Sequence, residues 1–178
     1  MPRIRLKTKL VLAMSAMVFA LVLTLSFIYV SQLLRQRINE SYENADFISH
    51  QIYQAAKQAL ELDLSNTRLD MEDPAKVHDA IADVLQTDAP VNTLLQSVVG
   101  YDPEVYDVSV IDLKGIALLH TDASALDKPV PNRTSLDQLK NGGFLDQIKS
   151  VYGEPAVYDI RLPIQREGTP FGEIRVGI

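Results

Sequence analysis

The sequence predicts an α+β protein in which a transmembrane helix continues into a long helix, packed on an antiparallel sheet with short crossover helices. Three observations predict this fold. Residues 10–30 contain no charge, proline or glycine; apolar residues then recur every three or four positions to about residue 64; and from Tyr106 the pattern changes to alternation. Helical periodicity followed by separate hairpins is typical of the α+β class.

The apolar run over 10–30 is predicted to be a transmembrane helix. At about 1.5 Å per residue it would be roughly 30 Å long, the thickness of a bilayer's hydrocarbon core. Its polar residues, Ser15, Thr24 and Ser26, are small hydroxyls that can donate to a carbonyl of their own helix. A buried core helix of this composition would need a larger protein around it than 178 residues provide.

The charges around this run predict its orientation. The residues before it include four basic side chains and no acid: Arg3, Arg5, Lys7 and Lys9. Because positive flanks stay in the cytoplasm, residues 1–9 are predicted to be a cytoplasmic tail and residues 31–178 to be exported. A cleaved signal peptide would have a shorter apolar core, of about 7–15 residues, and a small-x-small cleavage site. We therefore expect an uncleaved, single-pass anchor in a bacterial inner membrane.

The composition argues against several functions. The chain has 17 Lys and Arg against 23 Asp and Glu, and the basic tail leaves the exported part more acidic still. Such a surface argues against nucleic acid as a partner. The absence of cysteine excludes disulfides and thiolate chemistry. The histidines, His50, His78 and His120, lack metal-ligand spacing, so no metal or cofactor is expected, and the first two are predicted to lie on the solvated surface.

Residues 31–64 are predicted to continue the transmembrane helix as an amphipathic rod. Its apolar residues lie on a single stripe: Leu34, Ile38, Tyr42, Ala45, Ile48, Ile52, Ala55 or Ala56, and Ala59. The stripe has two possible partners, the body of its own domain and the same helix of a second subunit. We expect both, with a homodimer formed through the transmembrane and juxtamembrane helices.

Short helices and two hairpins follow the rod. Asp73 and Pro74 are suited to begin a helix, and Gly100 is suited to end another that starts near Pro90. The remaining predicted elements are strands at 106–112 and 116–121, short helices at 135–140 and 144–152, and strands at 156–165 and 171–178. Residues 101–178 are thus predicted to carry the sheet.

Two segments resemble a known family. The segment VYDVSVIDLKGIALLHTDASALDKPV, residues 105–130, combines an alternating strand, an acid, a turn glycine and an apolar strand that ends in His-Thr-Asp. It resembles the extracytoplasmic Cache (PAS-like) sensor domains of bacterial histidine kinases and chemoreceptors. The closing segment VYDIRLPIQREGTPFGEIRVGI is similar to the last hairpin of that family. The resemblance covers nearly all of residues 31–178.

This resemblance implies a function. The exported domain would bind a small molecule and pass a conformational signal across the membrane as the input part of a sensor histidine kinase. Members of the family continue into a second span and a cytoplasmic signalling domain, so we expect this chain to be a fragment truncated at its C-terminus. No catalytic motif of a kinase or hydrolase occurs in it, so the segment itself is not expected to be an enzyme.

The register of the hairpins then predicts a candidate binding face. Keeping like faces together places Ile160 opposite Val176 and Ile111 opposite Ile116. In PAS-like sheets one face packs on the long helix and the other lines the ligand cavity. The predicted ligand-binding residues on that second face are Asp107, Ser109, His120 and Arg161. The guanidinium of Arg161 would clamp a carboxylate or similar anion, because its fork of donors matches one.

Other functions stay open at this point. The same domain type could serve a chemoreceptor or a cyclase, or could act as a spacer that binds no ligand. A pilin-like structural subunit also combines an N-terminal apolar helix with an α+β head. Such subunits need an acid within the apolar helix, and residues 10–30 contain none.

Overall fold

The computed structural model describes residues 6–64, 74–166 and 169–178. The helices are α1 (Leu6–Leu64), α2 (Pro74–Thr87), α3 (Ala89–Tyr101), α4 (Leu136–Lys140) and α5 (Phe144–Tyr152). The strands are β1 (Asp107–Asp112), β2 (Ala117–His120), β3 (Asp159–Arg166) and β4 (Thr169–Gly177). Helices followed by hairpins, with short helices between, confirm the α+β class. The predicted start of a helix at Asp73 lies outside the described residues, as does the centre of the last turn.

Helix α1 runs without interruption for 59 residues, so the predicted apolar run and the predicted rod form a single helix. Within it, an 18-residue window has a mean hydropathy of 2.5 and contains no buried residue. Among the residues that the structure describes, this is the one helix long and apolar enough to cross a membrane. Such a helix is compatible with a membrane anchor.

The environment of α1 changes at Leu34. From that residue on, the apolar stripe is buried against the rest of the same chain, with Ala45, Ile52 and Ala56 fully enclosed. Small and branched side chains at steps of three and four allow the sheet and the helices α2 and α3 to approach closely. The body of its own domain is therefore one partner of the stripe.

The described strands form a four-stranded antiparallel sheet in the order β2-β1-β4-β3. The predicted register of the last hairpin is confirmed, because Ile160 pairs with Val176. The predicted pairing of Ile111 with Ile116 is wrong: Ile111 pairs with Ala117, and a bulge lies between Val110 and Ile111. The reason lies at the turn, where Asp112 rather than Ile111 bonds to Ile116: Asp112 N donates to Ile116 O at 2.9 Å, and Ile116 N donates to Asp112 Oδ1 at 2.8 Å.

The two faces of the sheet differ in chemistry. The face toward α1 is apolar and contributes to the core the residues Val108, Val110, Ile160, Ile174 and Val176. The opposite face carries Asp107, Ser109, Asp159 and Arg175, and these side chains are buried as well. Period-two alternation separates the two sets, as it does in any half-apolar strand.

A segment of the chain crosses this polar face, and we call residues 128–135 the strap. At its start, the backbone oxygen of Lys128 accepts from Ala117 N, at the β2 edge of the sheet. At its end, the backbone oxygen of Thr134 accepts from Asp159 N, at the β3 edge. Pro129 and Pro131 favour an extended backbone between these points. The strap therefore covers the polar side chains from one edge of the sheet to the other.

Candidate functional site

The candidate site is the layer of charged side chains between the sheet and the strap. It contains the arginines Arg133, Arg161 and Arg175, the carboxylates Asp107, Asp159 and Glu173, and His120. Burying charge is costly unless each group is paired and hydrogen bonded. The distances within each pair therefore decide which charged atoms of the layer are satisfied and which could bind another group.

Arg133 of the strap joins an inner strand of the sheet, β1, to the edge strand β3. Its Nη1 and Nη2 atoms donate to Oδ1 and Oδ2 of Asp107, each at 2.7 Å, and Nη1 also donates to Asp159 Oδ1 at 3.3 Å. The hydrogen bonds that Arg133 donates to Asp107 raise the pKa of the Arg133 guanidinium above its ordinary value. The ring of Tyr106 lies 5.5 Å from the guanidinium carbon. Arg133 is thus a fully charged group held by a carboxylate and an aromatic face.

Asp159 is the most deeply placed carboxylate of the layer. The residue is 1% exposed, and its Oδ2 atom has no hydrogen-bond partner among the described residues. Burial raises the pKa of this carboxyl, while Arg133 acts in the opposite direction. Arg161 Nη2 lies 3.8 Å from Oδ2, which is too long for a hydrogen bond. One carboxylate oxygen in the layer therefore retains an unused acceptor.

Arg161, the predicted anion clamp, contacts the strap. Its Nη2 atom donates to Asn132 Oδ1 at 2.7 Å and to the backbone oxygen of Arg133 at 2.6 Å. Its Nε atom is buried and has no hydrogen-bond partner among the described residues. The oxygens that Arg161 binds here therefore belong to the protein itself.

Arg175 and Glu173 form a second contact with the strap. Arg175 Nε donates to Glu173 Oε1 at 2.6 Å, and Arg175 Nη1 donates to the backbone oxygen of Pro131 at 3.3 Å. Three successive strap residues, Pro131, Asn132 and Arg133, therefore bind arginine or aspartate side chains of the sheet. The strap is held mainly by charged hydrogen bonds, which are stronger than neutral ones.

The remaining predicted residues lie at the other edge of the layer. His120 Nε2 is 3.9 Å from Asp107 Oδ2, and its Nδ1 accepts from the backbone N–H of Asp122 at 2.9 Å. Ser109 is buried and stands opposite His120 on β2 and opposite Arg175 on β4. The structure thus places all four predicted residues, Asp107, Ser109, His120 and Arg161, in or beside one layer.

Sequence reasoning missed the group that links this layer, Arg133. It lies in a proline-bearing loop, where no periodicity indicates which face a side chain takes.

The prediction for His78 is wrong: its Nδ1 lies 3.3 Å from Asp112 Oδ2, and both side chains are largely covered. His50 is exposed, as predicted. Within the described residues, no group of three or more His, Asp or Glu side chains is placed to hold a metal ion.

A cleft opens beside the end of the strap. It has a volume of about 590 Å³ and runs from Thr134 to Tyr158, with Asp146 and Lys149 of α5 on its far wall. Its lining does not include any of the four predicted residues. The charged layer itself is closed by the strap, so a ligand that reached Arg161 would have to displace strap contacts.

No protein-family model matches the sequence, and no curated protein matches it either.

Proposed function

We propose that this chain is a membrane-anchored, extracytoplasmic sensing domain that binds a small carboxylate or related anion, as the input part of a sensor histidine kinase. The observation that carries the proposal is the buried charged layer beneath the strap, in which Asp159 Oδ2 and Arg161 Nε lack hydrogen-bond partners among the described residues. Buried polar groups are almost always satisfied, so unpaired ones call for an explanation.

A ligand between the strap and the sheet would supply the missing partners. A carboxylate oxygen would accept from Arg161 Nε, and a hydroxyl or ammonium group on the same molecule would donate to Asp159 Oδ2. The carboxylate would also take the place of Asn132 Oδ1 and the Arg133 oxygen, which now accept from Arg161. Small hydroxy- and amino-carboxylates have this pairing of acceptor and donor.

The strap supports a route for the signal. Its contacts hold residues 128–135 against β3 and β4, whose apolar faces pack on α1. The strap can be closed on the sheet or displaced from it. A ligand that binds one of these two states more tightly would increase its population, and with it one of two arrangements of the sheet and α1. Because α1 includes the apolar run at 10–30, such a shift of α1 would reach the membrane.

The test is a thermal-shift screen of the full chain in detergent micelles. The panel contains hydroxy-carboxylates, amino acids, amines and sugars at millimolar concentration. A ligand at about 100 times its Kd stabilises the folded state by about 2.7 kcal/mol, which raises the melting temperature measurably. We expect stabilisation by a small carboxylate and loss of that effect in the Arg161→Ala variant.

The matched control is Arg37→Ala, which removes an exposed arginine of α1 that contacts Glu40. It should respond to the ligand as the unmodified chain does. If no carboxylate stabilises the chain, or if Arg161→Ala and Arg37→Ala respond alike, the layer is not an anion site and a spacer role is favoured.

A further inference from the structure

Helix α5, Phe144–Tyr152, carries an apolar stripe that the domain does not enclose. At 100° per residue its apolar side chains fall within one arc of about 120°: Phe144, Leu145, Ile148, Val151 and Tyr152. Leu145, Val151 and Tyr152 are 77%, 53% and 76% exposed. A cluster of this kind on a short helix marks an interaction surface.

One side of the stripe contacts the apolar run of α1. The rings of Phe144 and Phe27 pack edge to face, with their centroids 4.5 Å apart. Around them lies an apolar cleft of about 640 Å³, which also involves Leu23, Val30 and Ile148. The exposed part of α5 is therefore continuous with the exposed apolar surface of residues 10–30.

The flank of α5 beside Val151 is fixed to the domain at Gln147. Gln147 is buried, and its Nε2 atom lies 3.4 Å from the backbone oxygens of Leu139 and Lys140. The side chain of Asp146 accepts from the backbone N–H of Gly143 at 3.2 Å and so caps the start of the helix. The contacts of Gln147 fix the flank of α5 beside its apolar stripe to α4 and leave the stripe itself uncovered on that side.

Helix geometry gives the position of the contact between Phe27 and Phe144 relative to the end of the apolar run. Phe27 precedes the end of the apolar run, Val30, by three residues, which is about 4.5 Å along the helix axis. If residues 10–30 span a bilayer, α5 lies at the outer boundary of its hydrocarbon core. Amphipathic helices at interfaces occupy this depth, with the apolar face about 5–10 Å below the headgroups.

The composition of α5 fits that location. Phe, Leu, Ile and Val form the buried face of interfacial helices, and tyrosine is enriched at the boundary between lipid and water. Lys149 lies at the edge of the apolar arc, from which its ammonium group can reach the headgroups while its methylene stem stays in the apolar layer.

We propose that α5 is a second membrane contact, which lies in the outer interfacial layer beside the apolar run of α1 and inserts Leu145, Val151 and Tyr152 among the lipids. The occupant of this surface is the bilayer itself. The inference rests on the membrane location of residues 10–30 and does not depend on ligand binding. It implies that the domain is held against the membrane surface rather than raised above it on α1.

The test uses single cysteines, since the chain has none of its own. The variants Leu145→Cys and Val151→Cys place a small fluorophore on the exposed part of α5. Leu113→Cys is the matched control, because Leu113 is an equally exposed leucine in the turn between β1 and β2. Met17→Cys reports the middle of the apolar run. Each labelled full-length chain is reconstituted into vesicles of zwitterionic and anionic phospholipid that contain a spin-labelled quencher lipid.

We expect lipids labelled near the headgroup to quench the probes at 145 and 151, and not the probe at 113. Lipids labelled deep in the acyl chain should quench the probe at 17. Equal and weak quenching at 145, 151 and 113 would overturn the proposal, and so would a lack of deep quenching at 17. Oxidative cross-linking of Leu145→Cys between two chains, without quenching by lipid, would identify a second copy as the occupant instead. A failure of the ligand screen would leave these quenching results unaffected.

Discussion

Arg133 contributes the positive charge that lets Asp107 and Asp159 lie beneath the strap. Each carboxylate would carry a large desolvation cost if it were buried alone. For Asp107, the bidentate contact with Arg133 offsets this cost. Removing one partner of such a pair leaves an uncompensated charge, which costs more than the pair itself contributes.

We expect the Arg133→Ala variant to lose about 3 kcal/mol of unfolding free energy at neutral pH, at the lower end of the range for broken buried pairs because the arginine is partly exposed. Urea denaturation followed by circular dichroism measures the change. The control Arg37→Ala breaks an exposed pair on α1 and should cost at most about 0.5 kcal/mol. Equal effects in the two variants would contradict a stabilising role of the layer.

At the scale of the elements, β4 approaches the backbone of β1 closely at Gly172. A Cβ atom built on this glycine would collide with the backbone oxygen of Ile111, which no side-chain rotation can relieve. Gly172 pairs with Asp112 of β1 on one side and with Ile164 of β3 on the other, since β4 is an inner strand of the sheet. Glycine within a strand commonly marks such a contact.

Gly172→Ala should therefore destabilise the fold by about 1–3 kcal/mol, the cost of forcing extra volume into a packed site. Gly100→Ala serves as the comparison, because a Cβ on Gly100 of α3 meets no atom within 4 Å. That variant should gain up to about 1 kcal/mol through reduced freedom of the unfolded chain. Chemical denaturation of both variants checks the difference, and a neutral Gly172→Ala would contradict the inferred close approach.

At the scale of the whole molecule, α1 links two environments. Its first part is apolar and exposed on all sides, and from Leu34 onward its stripe forms part of the core. The basic residues before the apolar run predict a cytoplasmic N-terminus and an exported α+β domain.

Cysteine accessibility in intact bacterial cells checks this topology. A membrane-impermeant maleimide should label Ala123→Cys, an exposed position near the end of β2, in intact cells. It should label Thr8→Cys only after the cells are opened, because the positive-inside rule places the tail in the cytoplasm. The reverse pattern would contradict the orientation, and labelling of both in intact cells would contradict a membrane span.

The sequence by itself determined the features that depend on local periodicity. Steps of three and four predicted the continuous helix α1, and alternation predicted the register of Ile160 with Val176 and the polar face that holds Asp107 and Arg161. These features can be read from short windows because helix and strand repeat their side-chain directions every 3.6 and 2 residues.

The tertiary structure decided what covers each face. Arg133 stands 26 residues from each of its partners, Asp107 and Asp159, and lies in a loop without periodicity. The contact between Phe27 and Phe144 likewise joins elements far apart in the chain. Such contacts arise only when the sheet, the strap and α1 pack together, because they depend on the relative placement of whole elements rather than on the direction of side chains within one of them.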